Sequence, residues 1–394
     1  MEARECGSET LPRQPAGCRR YNLSKRWLLV VSFFLTLPAA GAAQSGQVQI
    51  SHTTEGLRGV SAVSRDVAWA SGTHGTYLRT IDGGRTWTPA QVAGTEALDF
   101  RAVVAFSADE AFLMSAGPGE QSRIYHTSDA GNHWQLQFTN TNPKGFFDSM
   151  VFWDAKRGVV LGDPIPDESG TLKFEVLLTE DGQNWRAAPA AKLPPAREGE
   201  GAFAASNTCL ALIPGELDAN LWFATGGKVA RVFHSGDRGQ SWEVVDTPMV
   251  HGPDSAGIFS IAFRDAMHGV IAGGDYKHPN DDGPNLAFTD DGGKTWTLSL
   301  LHPLAYFSAV AYDRKVNEQA MREAVVEKAM RVKAIAPERI FIVGQDFVFD
   351  FRPPRDPRRI NGKKKMGIQF NAASAYPEGG VLVVGPKGSI ALIP

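Results

Sequence analysis

The sequence predicts an all-β fold, a seven-bladed β-propeller built from four-stranded antiparallel blades. Three observations lead to this prediction. An eight-residue pattern ending in tryptophan recurs along the chain, its tryptophans stand 47 to 57 residues apart, and short stretches of alternating apolar and polar residues fill the intervals. A repeat near fifty residues that contains several short strands is typical of propellers, in which each repeat forms one blade.

The recurring pattern has the form Ser/Thr-x-Asp-x-Gly-x-x-Trp. It occurs at residues 80–87 (TIDGGRTW), 127–134 (TSDAGNHW), 235–242 (SGDRGQSW) and 289–296 (TDDGGKTW), and residues 179–185 (TEDGQNW) hold a copy that is one residue shorter. The glycine can take the positive φ of a tight turn, and the aspartate can accept hydrogen bonds from the backbone of that turn. The tryptophan begins the next strand and can bury its ring between neighbouring blades.

These motif residues are therefore predicted to be structural, because carboxylates at five separate turns cannot converge on one catalytic or metal site. The predicted turn and wedge residues are Asp82, Trp87, Asp129, Trp134, Asp181, Trp185, Asp237, Trp242, Asp291 and Trp296. The nine histidines are scattered without the spacing of metal ligands, and no dinucleotide or P-loop fingerprint occurs. The sequence thus predicts no metal, no cofactor and no catalytic residue.

The first 43 residues are expected to lie outside the propeller. Arg19, Arg20, Lys25 and Arg26 precede an apolar run at residues 27–37 (WLLVVSFFLTL), and the small residues AAGAA follow at 39–43. This order describes a secretory signal peptide, and the apolar run is short for a membrane span, although a retained anchor is the alternative. Cleavage near Ala43 would give an exported protein, periplasmic or secreted, with a propeller over residues 46–394.

Each repeat follows one plan. An apolar inner strand comes first, then a second strand that ends in small residues, a third that runs into the aspartate motif, and a fourth that starts at its tryptophan. The expected inner strands of blades one to five lie at residues 59–64, 100–107, 146–153, 201–207 and 257–263.

After Trp296 the motif fades but strand patterns continue. Residues 307–312, 339–346 and 347–352 make a sixth blade, and residues 370–376, 380–385 and 389–394 make three strands of a seventh. The missing fourth strand can come from residues 47–53 (QVQISHT), which would close the ring, with six or eight blades as the alternatives. A helical insertion is expected at about 315–333, and residues 351–365 (FRPPRDPRRINGKKK) are expected to form a basic loop.

The repeated motifs behind a leader segment resemble the BNR/Asp-box β-propellers. Within these, the chain is most similar to the photosystem II stability/assembly factor-like proteins of the sialidase-like superfamily. Residues 267–275 (MHGVIAGGD) followed by 286–296 (LAFTDDGGKTW) carry the resemblance, which covers roughly residues 50 to 394. It implies a non-enzymatic propeller that helps to assemble or stabilise a membrane-protein complex.

The face opposite the aspartate turns is the predicted position of a binding site, because loops from many blades converge there. Acidic and basic residues alternate along the segments that reach it. The candidate residues are Arg58, Arg101, Asp148, Asp163, Glu200, Arg231, Asp275, Tyr276 and Asp346. They could pair with one another and stiffen the ring, or they could bind a polar peptide or glycan through arginine–carboxylate contacts.

The expected partner is a protein, membrane-associated or not, with a glycan as the alternative. The formal net charge of −3 gives no global basic character, so nucleic acid is not expected. The competing function is that of a sialidase-like glycoside hydrolase, in which a carboxylate pair such as Asp163 and Glu200 would act.

Overall fold

The computed structural model describes residues 46–213, 219–299, 305–316, 339–345, 347–351, 361–365 and 368–394. These residues form seven antiparallel sheets arranged as a seven-bladed propeller, so the predicted fold class is confirmed. The predicted leader at 1–43, nearly all of the predicted helical insertion at 315–333, and Asp346 lie outside the described residues. No helix among the described residues has the length and apolar character needed to cross a membrane.

The first three blades each contain four strands that are consecutive in the chain. Blade one contains β2 (Leu57–Ala62), β3 (Ala68–Gly72), β4 (Thr76–Thr80) and β5 (Thr88–Gln91). Blade two contains β6 (Asp99–Ala105), β7 (Ala111–Ala116), β8 (Arg123–Thr127) and β9 (Gln135–Thr139). Blade three contains β10 (Phe147–Asp154), β11 (Arg157–Pro166), β12 (Leu172–Thr179) and β13 (Arg186–Ala187).

Blades four and five share a join made by two short strands. Blade four contains β15 (Leu210–Ala211), β16 (Leu221–Ala224), β18 (Arg231–Ser235) and β19 (Glu243–Asp246). Blade five contains β20 (Ala256–Phe263), β21 (Gly269–Asp275), β22 (Leu286–Thr289) and β23 (Thr297–Leu298). Two-residue strands β14 (Glu200–Gly201) and β17 (Gly226–Gly227) extend the blade-five sheet on its inner side.

Blade six contains β24 (Phe307–Tyr312), β25 (Ile340–Gly344), β26 (Phe347–Phe351) and β27 (Asn361–Lys365). Blade seven contains β28 (Ala372–Ala375), β29 (Val381–Gly385) and β30 (Ser389–Ile393), and its outermost strand is β1 (Gln47–Gln49). Two short 3-10 helices, Gly119–Gln121 and Ala190–Lys192, lie in loops. The prediction that the N-terminal strand closes the last blade is confirmed by the antiparallel pairing of β1 with β30.

The apolar core lies between the blades rather than within any one of them. Seven clusters of buried side chains occur among the described residues, and each draws on two neighbouring blades. The motif tryptophans pack into five of these clusters; Trp87, for example, lies between blades seven and one with an exposed fraction of 1%. Each interface therefore buries the face that a single blade could not cover alone.

The aspartate of each motif braces a turn between the third and fourth strands. In blade one, Asp82 Oδ1 accepts hydrogen bonds from Thr80 Oγ1 and from the N–H of Thr86, both at 2.9 Å. Thr80 Oγ1 in turn accepts the N–H of Gly84 at 2.9 Å. The same partners recur at Asp129, Asp237 and Asp291, and the shorter blade-three turn uses the N–H of Asn184 instead.

The predicted inner strand of blade four is wrong in position. Residues 202–208 are not a strand, and the inner strand is β15, which begins at Leu210. Asn207 takes a left-handed backbone conformation, and its side chain accepts the N–H of Met150 at 2.7 Å and donates to the carbonyl of Met150 at 3.0 Å. The side-chain amide of Asn207 thus makes hydrogen bonds to β10 in a segment where the sequence predicted a strand.

The basic stretch at 351–365 is also not a loop throughout. Its last five residues form β27, the outer strand of blade six, which pairs with β26 through Lys364 and Lys365. Three consecutive lysines give no apolar/polar alternation, so the sequence did not indicate this strand, and residues 352–360 of the predicted loop lie outside the described residues.

Candidate functional site

A bulge marks the start of the inner strand in five blades. The strand register shifts at Arg58, Arg101, Asp148, Phe259 and Ser308, and each of these residues is left out of the pairing with the second strand. A bulge bends the strand and re-aims the unpaired side chain. All five bulges lie at the end of the ring where blades are linked, opposite the aspartate turns. We call this end, with the bulged residues and their contacts, the mouth.

The blade-one and blade-two part of the mouth is basic. Asp99 Oδ2 lies 3.7 Å from Arg58 Nε and accepts a hydrogen bond from Arg101 Nε at 3.0 Å. Arg101 also reaches out of its blade, because its Nη1 donates to the carbonyl of Ala204 at 3.0 Å. Arg58 Nε and Asp99 Oδ1 are buried and have no hydrogen-bond partner in the described structure. Two guanidinium groups therefore share one carboxylate, and this part of the mouth keeps a positive charge.

The blade-three part of the mouth is acidic. Asp148 is at a bulge of β10, Asp163 is at a second bulge in β11, and Glu175 of β12 pairs with Gly162 between them. The sequence placed Asp163 in a turn after β11, but the strand continues to Pro166. Register thus brings three carboxylates together from three adjacent strands.

These three carboxyl groups accept few hydrogen bonds. Asp148 has an exposed fraction of 1%, and its Oδ2 has no hydrogen-bond partner among the described residues. Asp163 Oδ1 accepts the N–H of Ala202 at 3.0 Å, and Glu175 Oε2 accepts Asn140 Nδ2 at 2.7 Å. Because a charged group loses its hydration on burial, an undersupplied carboxylate shifts toward its protonated form.

Burial shifts the pKa of all three carboxyl groups upward. It raises the pKa of Asp163 to about 6, against a weak opposing effect of the Ala202 N–H. Burial, followed by repulsion from Asp163, raises the pKa of Asp148 well above its ordinary value, although Arg101 opposes the shift. Burial also raises the pKa of Glu175. Burial also raises the pKa of the nearby Cys209 thiol, so it is an unreactive core thiol.

Glu200 and Arg231 form a buried ion pair and are not free. Their side chains are 0% and 5% exposed, Arg231 Nε donates to Glu200 Oε1 at 2.9 Å, and Arg231 Nη2 donates to Oε2. Thr225 Oγ1 and the N–H of Arg197 donate to the same carboxylate at 2.7 and 2.8 Å. Of the two interpretations of the mouth charges, pairing that stiffens the ring is therefore the one that fits Glu200 and Arg231.

Aromatic rings line the blade-five part of the mouth. Phe203 stacks on Phe259 with centroids 3.8 Å apart, and Tyr306 meets Phe259 edge-on at 4.8 Å. Tyr276 approaches the same ring at 6.2 Å and keeps an exposed fraction of 46%. Asp275 holds the turn that carries Tyr276, since it accepts the N–H of Lys277 and contacts His278 Nδ1, both at 2.9 Å.

The structure thus separates the predicted site residues into groups. Three groups lie in different parts of the mouth: Arg58 with Arg101, Asp148 with Asp163, and Tyr276 with Asp275. Glu200 and Arg231 pair with each other, and Asp346 is outside the described residues. Asp99, Glu175, Phe203, Phe259 and Tyr306 were missed. The Asp-x-Arg spacing of residues 99 and 101 could have indicated Asp99. The positions of the other four depend on bulges and on the path of residues 202–208, which the sequence had assigned to an inner strand.

The opposite end of the central channel has a different character. The later halves of the inner strands, with the turn after Asn207, enclose a cavity of about 500 Å³ lined mainly by apolar residues such as Val104, Phe106, Phe152 and Ile261. No group of three or more His, Cys, Asp or Glu side chains in the described part of the chain is placed to hold a metal ion. This end of the channel is therefore mainly apolar, in contrast to the charged mouth.

Comparison with known proteins places this geometry in context. A family model described as "Photosynthesis system II assembly factor YCF48" matches residues 38–144, which hold blades one and two with Arg58 and Arg101. The photosystem II stability/assembly factor HCF136, chloroplastic, of Oryza sativa subsp. japonica is 30% identical over 120 residues. This chain is a β-propeller similar to the photosystem II assembly factors. The matched stretch is 30% of this chain and 26% of the rice protein, about a quarter of that relative's length.

Solved structures agree on the architecture. The structure titled "YCF48 bound to D1 peptide" has a TM-score of 0.58 at 17% identity and covers 89% of this chain and 96% of its own. The WD40 propeller domain of Doa1 has a TM-score of 0.53 at 11% identity, covering 88% of this chain and 97% of its own. At such identities the likeness shows the shared propeller fold.

Proposed function

We propose that this chain is a non-enzymatic assembly or stability factor that holds a segment of a protein partner at the mouth, and that the partner belongs to a membrane-protein complex. The observation that carries the proposal is the grouping of unlike chemistry at one end of the ring. Arg58 and Arg101 supply cations, Asp148 and Asp163 supply carboxyl groups, and Tyr276, next to buried Phe259, supplies exposed aromatic surface.

Such a surface suits an extended peptide, which presents charged and apolar side chains along one line. Guanidinium groups recognise carboxylates through paired hydrogen bonds, and aromatic rings anchor apolar side chains. The similarity of blades one and two to the YCF48 family model supports the proposal, as does the solved YCF48 structure whose title names a bound D1 peptide. For this chain, a peptide segment of a protein partner is the proposed ligand.

The hydrolase alternative requires Asp163 and Glu200 to act as a pair of catalytic carboxyl groups, and Glu200 is not available for that role. Both oxygens of Glu200 accept hydrogen bonds from Arg231, and Thr225 and Arg197 supply two further donors. A general acid or nucleophile must be free to face the glycosidic bond. Glu200 is instead committed to a buried ion pair, so we favour binding over hydrolysis.

The proposal is tested by photo-crosslinking and capture from detergent-solubilised membranes of the source organism. A photoreactive residue replaces exposed Tyr276 at the mouth, and crosslinked partners are identified by mass spectrometry. Substituting Arg58→Gln with Arg101→Gln should reduce the yield of the specific partner at least tenfold, because the loss of even one arginine–carboxylate contact, of the order of 1.5–3 kcal/mol, weakens binding by that factor or more.

The matched control is Arg85→Gln, an exposed arginine of the same blade at the aspartate-turn end of the ring. It should leave the yield unchanged. Equal crosslinking by the wild type and the mouth double variant, or a stronger loss in Arg85→Gln, would contradict a partner site at the mouth.

We also propose that the propeller acts after export, as a periplasmic or secreted protein cleaved near Ala43. The basic, apolar and small-residue order of residues 1–43 supports this. Mass spectrometry of the protein purified from its native compartment should give a mature N-terminus close to residue 44. Recovery of the protein with its first residues intact would count against export by this route.

A further inference from the structure

The acidic part of the mouth has a chemistry that the ring itself does not satisfy. Asp148 is 1% exposed, and its Oδ2 has no hydrogen-bond donor in the described structure. The charged groups that interact with it are Asp163, Glu175 and Arg101. Buried polar atoms in proteins are nearly always hydrogen-bonded, so an orphaned carboxylate oxygen calls for a physical explanation.

Arg101 does not supply the missing donor. Its Nε donates to Asp99 and its Nη1 donates to the carbonyl of Ala204, both at 3.0 Å. The guanidinium is thereby oriented toward the basic part of the mouth and across to the blade-four segment. Among the described residues, Arg101 is therefore the one cation that acts on this cluster of three carboxyl groups, those of Asp148, Asp163 and Glu175, and its hydrogen bonds go to other partners. The local net charge is negative when the three groups ionise.

The approach to these carboxylates is through Asp163. It is only partly buried, whereas Asp148 is fully buried, and the N–H of Ala202 donates to its Oδ1. The residue after Ala202 is Phe203, a half-buried ring stacked on Phe259. An aromatic residue next in sequence to the one whose N–H binds the carboxylate suits a long cationic side chain, whose alkyl stem can pack on a ring while its head meets the acid.

We propose that Asp163 and Asp148 form a subsite for one cationic side chain, a lysine or arginine, of the bound peptide, with Phe203 packing against its stem. This assignment rests on the proposed peptide-binding function and adds a requirement to it. The partner segment must carry a basic residue that meets blade three, in addition to any carboxylate that meets Arg58 and Arg101.

Entry of the cation at Asp163 places a positive charge in the cluster that includes Asp148, and it offsets the repulsion between the two aspartates. It also favours their ionised forms, because an opposite charge nearby lowers a carboxyl pKa. Since burial raises the pKa of Asp163 to about 6 in the free protein, binding of the cation should strengthen as the pH rises through that value. Asp148, Glu175, Arg101 and Cys209 are the other titratable groups in contact with this cluster.

The test uses saturation-transfer NMR with N-acetyl-lysine methylamide as the probe and N-acetyl-norleucine methylamide, which has a similar stem without the charge, as the matched ligand. Both are titrated into the full chain at millimolar concentration. We expect saturable transfer from the lysine probe that is about tenfold stronger than from the norleucine probe, as charge-assisted hydrogen bonds to a partly buried acid require.

Asp163→Asn should reduce the lysine signal to the norleucine level. Asp254→Asn, an exposed aspartate on the link before blade five, removes the same charge and should leave the signal unchanged. Phe203→Leu should weaken both probes to a similar degree. A second variant, Asp148→Asn, keeps the shape of the buried side chain and should weaken only the lysine probe.

Equal transfer from the two probes, no saturable transfer from the lysine probe, or an unchanged lysine signal in Asp163→Asn would overturn the subsite. A stronger signal from 1,4-diaminobutane than from the lysine probe would contradict a peptide as the source of the cation. If the crosslinking partner persists and depends on Arg58 and Arg101 while these NMR results are negative, the subsite fails and the proposed function stands.

Discussion

At the scale of single residues, the same charges have opposite roles depending on whether the ring satisfies them. Glu200 and Arg231 are fully buried, and both are saturated with partners. Asp148 is equally buried and has an orphaned oxygen. A buried pair that is complete is a structural element, whereas an incomplete acidic group marks a place for a ligand.

Breaking the Glu200–Arg231 pair should destabilise the fold strongly. Arg231→Leu leaves the Glu200 carboxylate buried without its charge partner, so we expect a loss of about 3–5 kcal/mol in the free energy of unfolding. Adding Glu200→Gln should restore a large part of that loss. The measurement is urea denaturation followed by tryptophan fluorescence.

Arg197 provides the control for this experiment. Its side chain pairs with Asp246 on the surface, with exposed fractions of 50% and 65%. Arg197→Leu should cost less than about 1 kcal/mol, because exposed ion pairs contribute little. If the two arginine variants were equally stable, Glu200 would not be held as a buried ion.

The Asp163 carboxyl group should make the stability of the protein fall as the pH rises. Its pKa is about 6 in the folded protein, above its ordinary value of 3.8, because of burial. The stability that it contributes is fully present below its unfolded pKa and is lost as the pH rises through about 6. Asp163→Asn should therefore gain stability relative to the wild type between about pH 4 and pH 7, by up to about 3 kcal/mol.

Urea denaturation across that pH range measures the effect, with Asp254→Asn as the control that should run parallel to the wild type. The aspartates of the turns have the opposite sign. The N–H and then the side chain of His133 lower the pKa of Asp129 to about 2, so its contribution is present at neutral pH and lost in acid. A difference curve for Asp163→Asn that stayed flat would mean that this carboxyl group is well solvated.

Much of this residue chemistry could not be predicted from the sequence. Arg58, Arg101, Asp148 and Asp163 were identifiable as charges near one end of the ring, but their grouping follows from bulges that shift register by one residue. A bulge depends on pairing between strands, which alternation along one strand does not encode. The Glu200–Arg231 pair was invisible for the same reason, since the two residues lie on different short strands.

At the scale of elements, the aspartate turns were predictable because their whole hydrogen-bond pattern lies within eight residues. In blade five, Thr289 Oγ1 accepts the N–H of Gly293 at 3.0 Å and donates to Asp291 Oδ1 at 2.8 Å. The displaced inner strand of blade four was not predictable, because residues 202–208 (AFAASNT) begin with an apolar run like that of an inner strand. Their path is decided by distant partners, the carbonyl of Ser308 for Ser206 and the backbone of Met150 for Asn207.

Removing one turn hydroxyl tests the contribution of this element. Thr289→Val keeps the shape of the buried side chain but leaves the N–H of Gly293 without its acceptor, so we expect a loss of about 1–3 kcal/mol in unfolding free energy. Thermal and urea unfolding measure it. Thr297→Val, on the exposed face of β23 nearby, should stay within about 0.5 kcal/mol of the wild type.

At the scale of the whole molecule, one short strand holds the ring closed. Strand β1 pairs with β30 through three residues, and Gln49 ties it to blade one. Gln49 Oε1 accepts Trp87 Nε1 at 2.8 Å, and Gln49 Nε2 donates to the carbonyl of Gly83 at 3.2 Å. The prediction of this closure from residues 47–53 succeeded because three strands in the last repeat left one unpaired edge to fill.

A chain that begins at residue 52 should lose this closure. Three backbone pairs and the two Gln49 hydrogen bonds disappear, so we expect a loss of at least about 3 kcal/mol in unfolding free energy. Differential scanning calorimetry and size-exclusion chromatography, compared with a chain that begins at residue 46, measure stability and self-association. Equal melting temperatures for the two chains would show that β1 is dispensable.

The position of β1 also sets the order of events during synthesis. Gln47–Gln49 precedes every other described strand in the chain, whereas its partner Ser389–Ile393 is the last of the described strands. Until that partner has been synthesised, β1 has no strand to pair with, and Val48 on β1 and the adjacent Ile50 are exposed even in the finished ring. The ring can therefore close only after β30 has left the ribosome, and a chaperone that shields this early segment would have to release it only then.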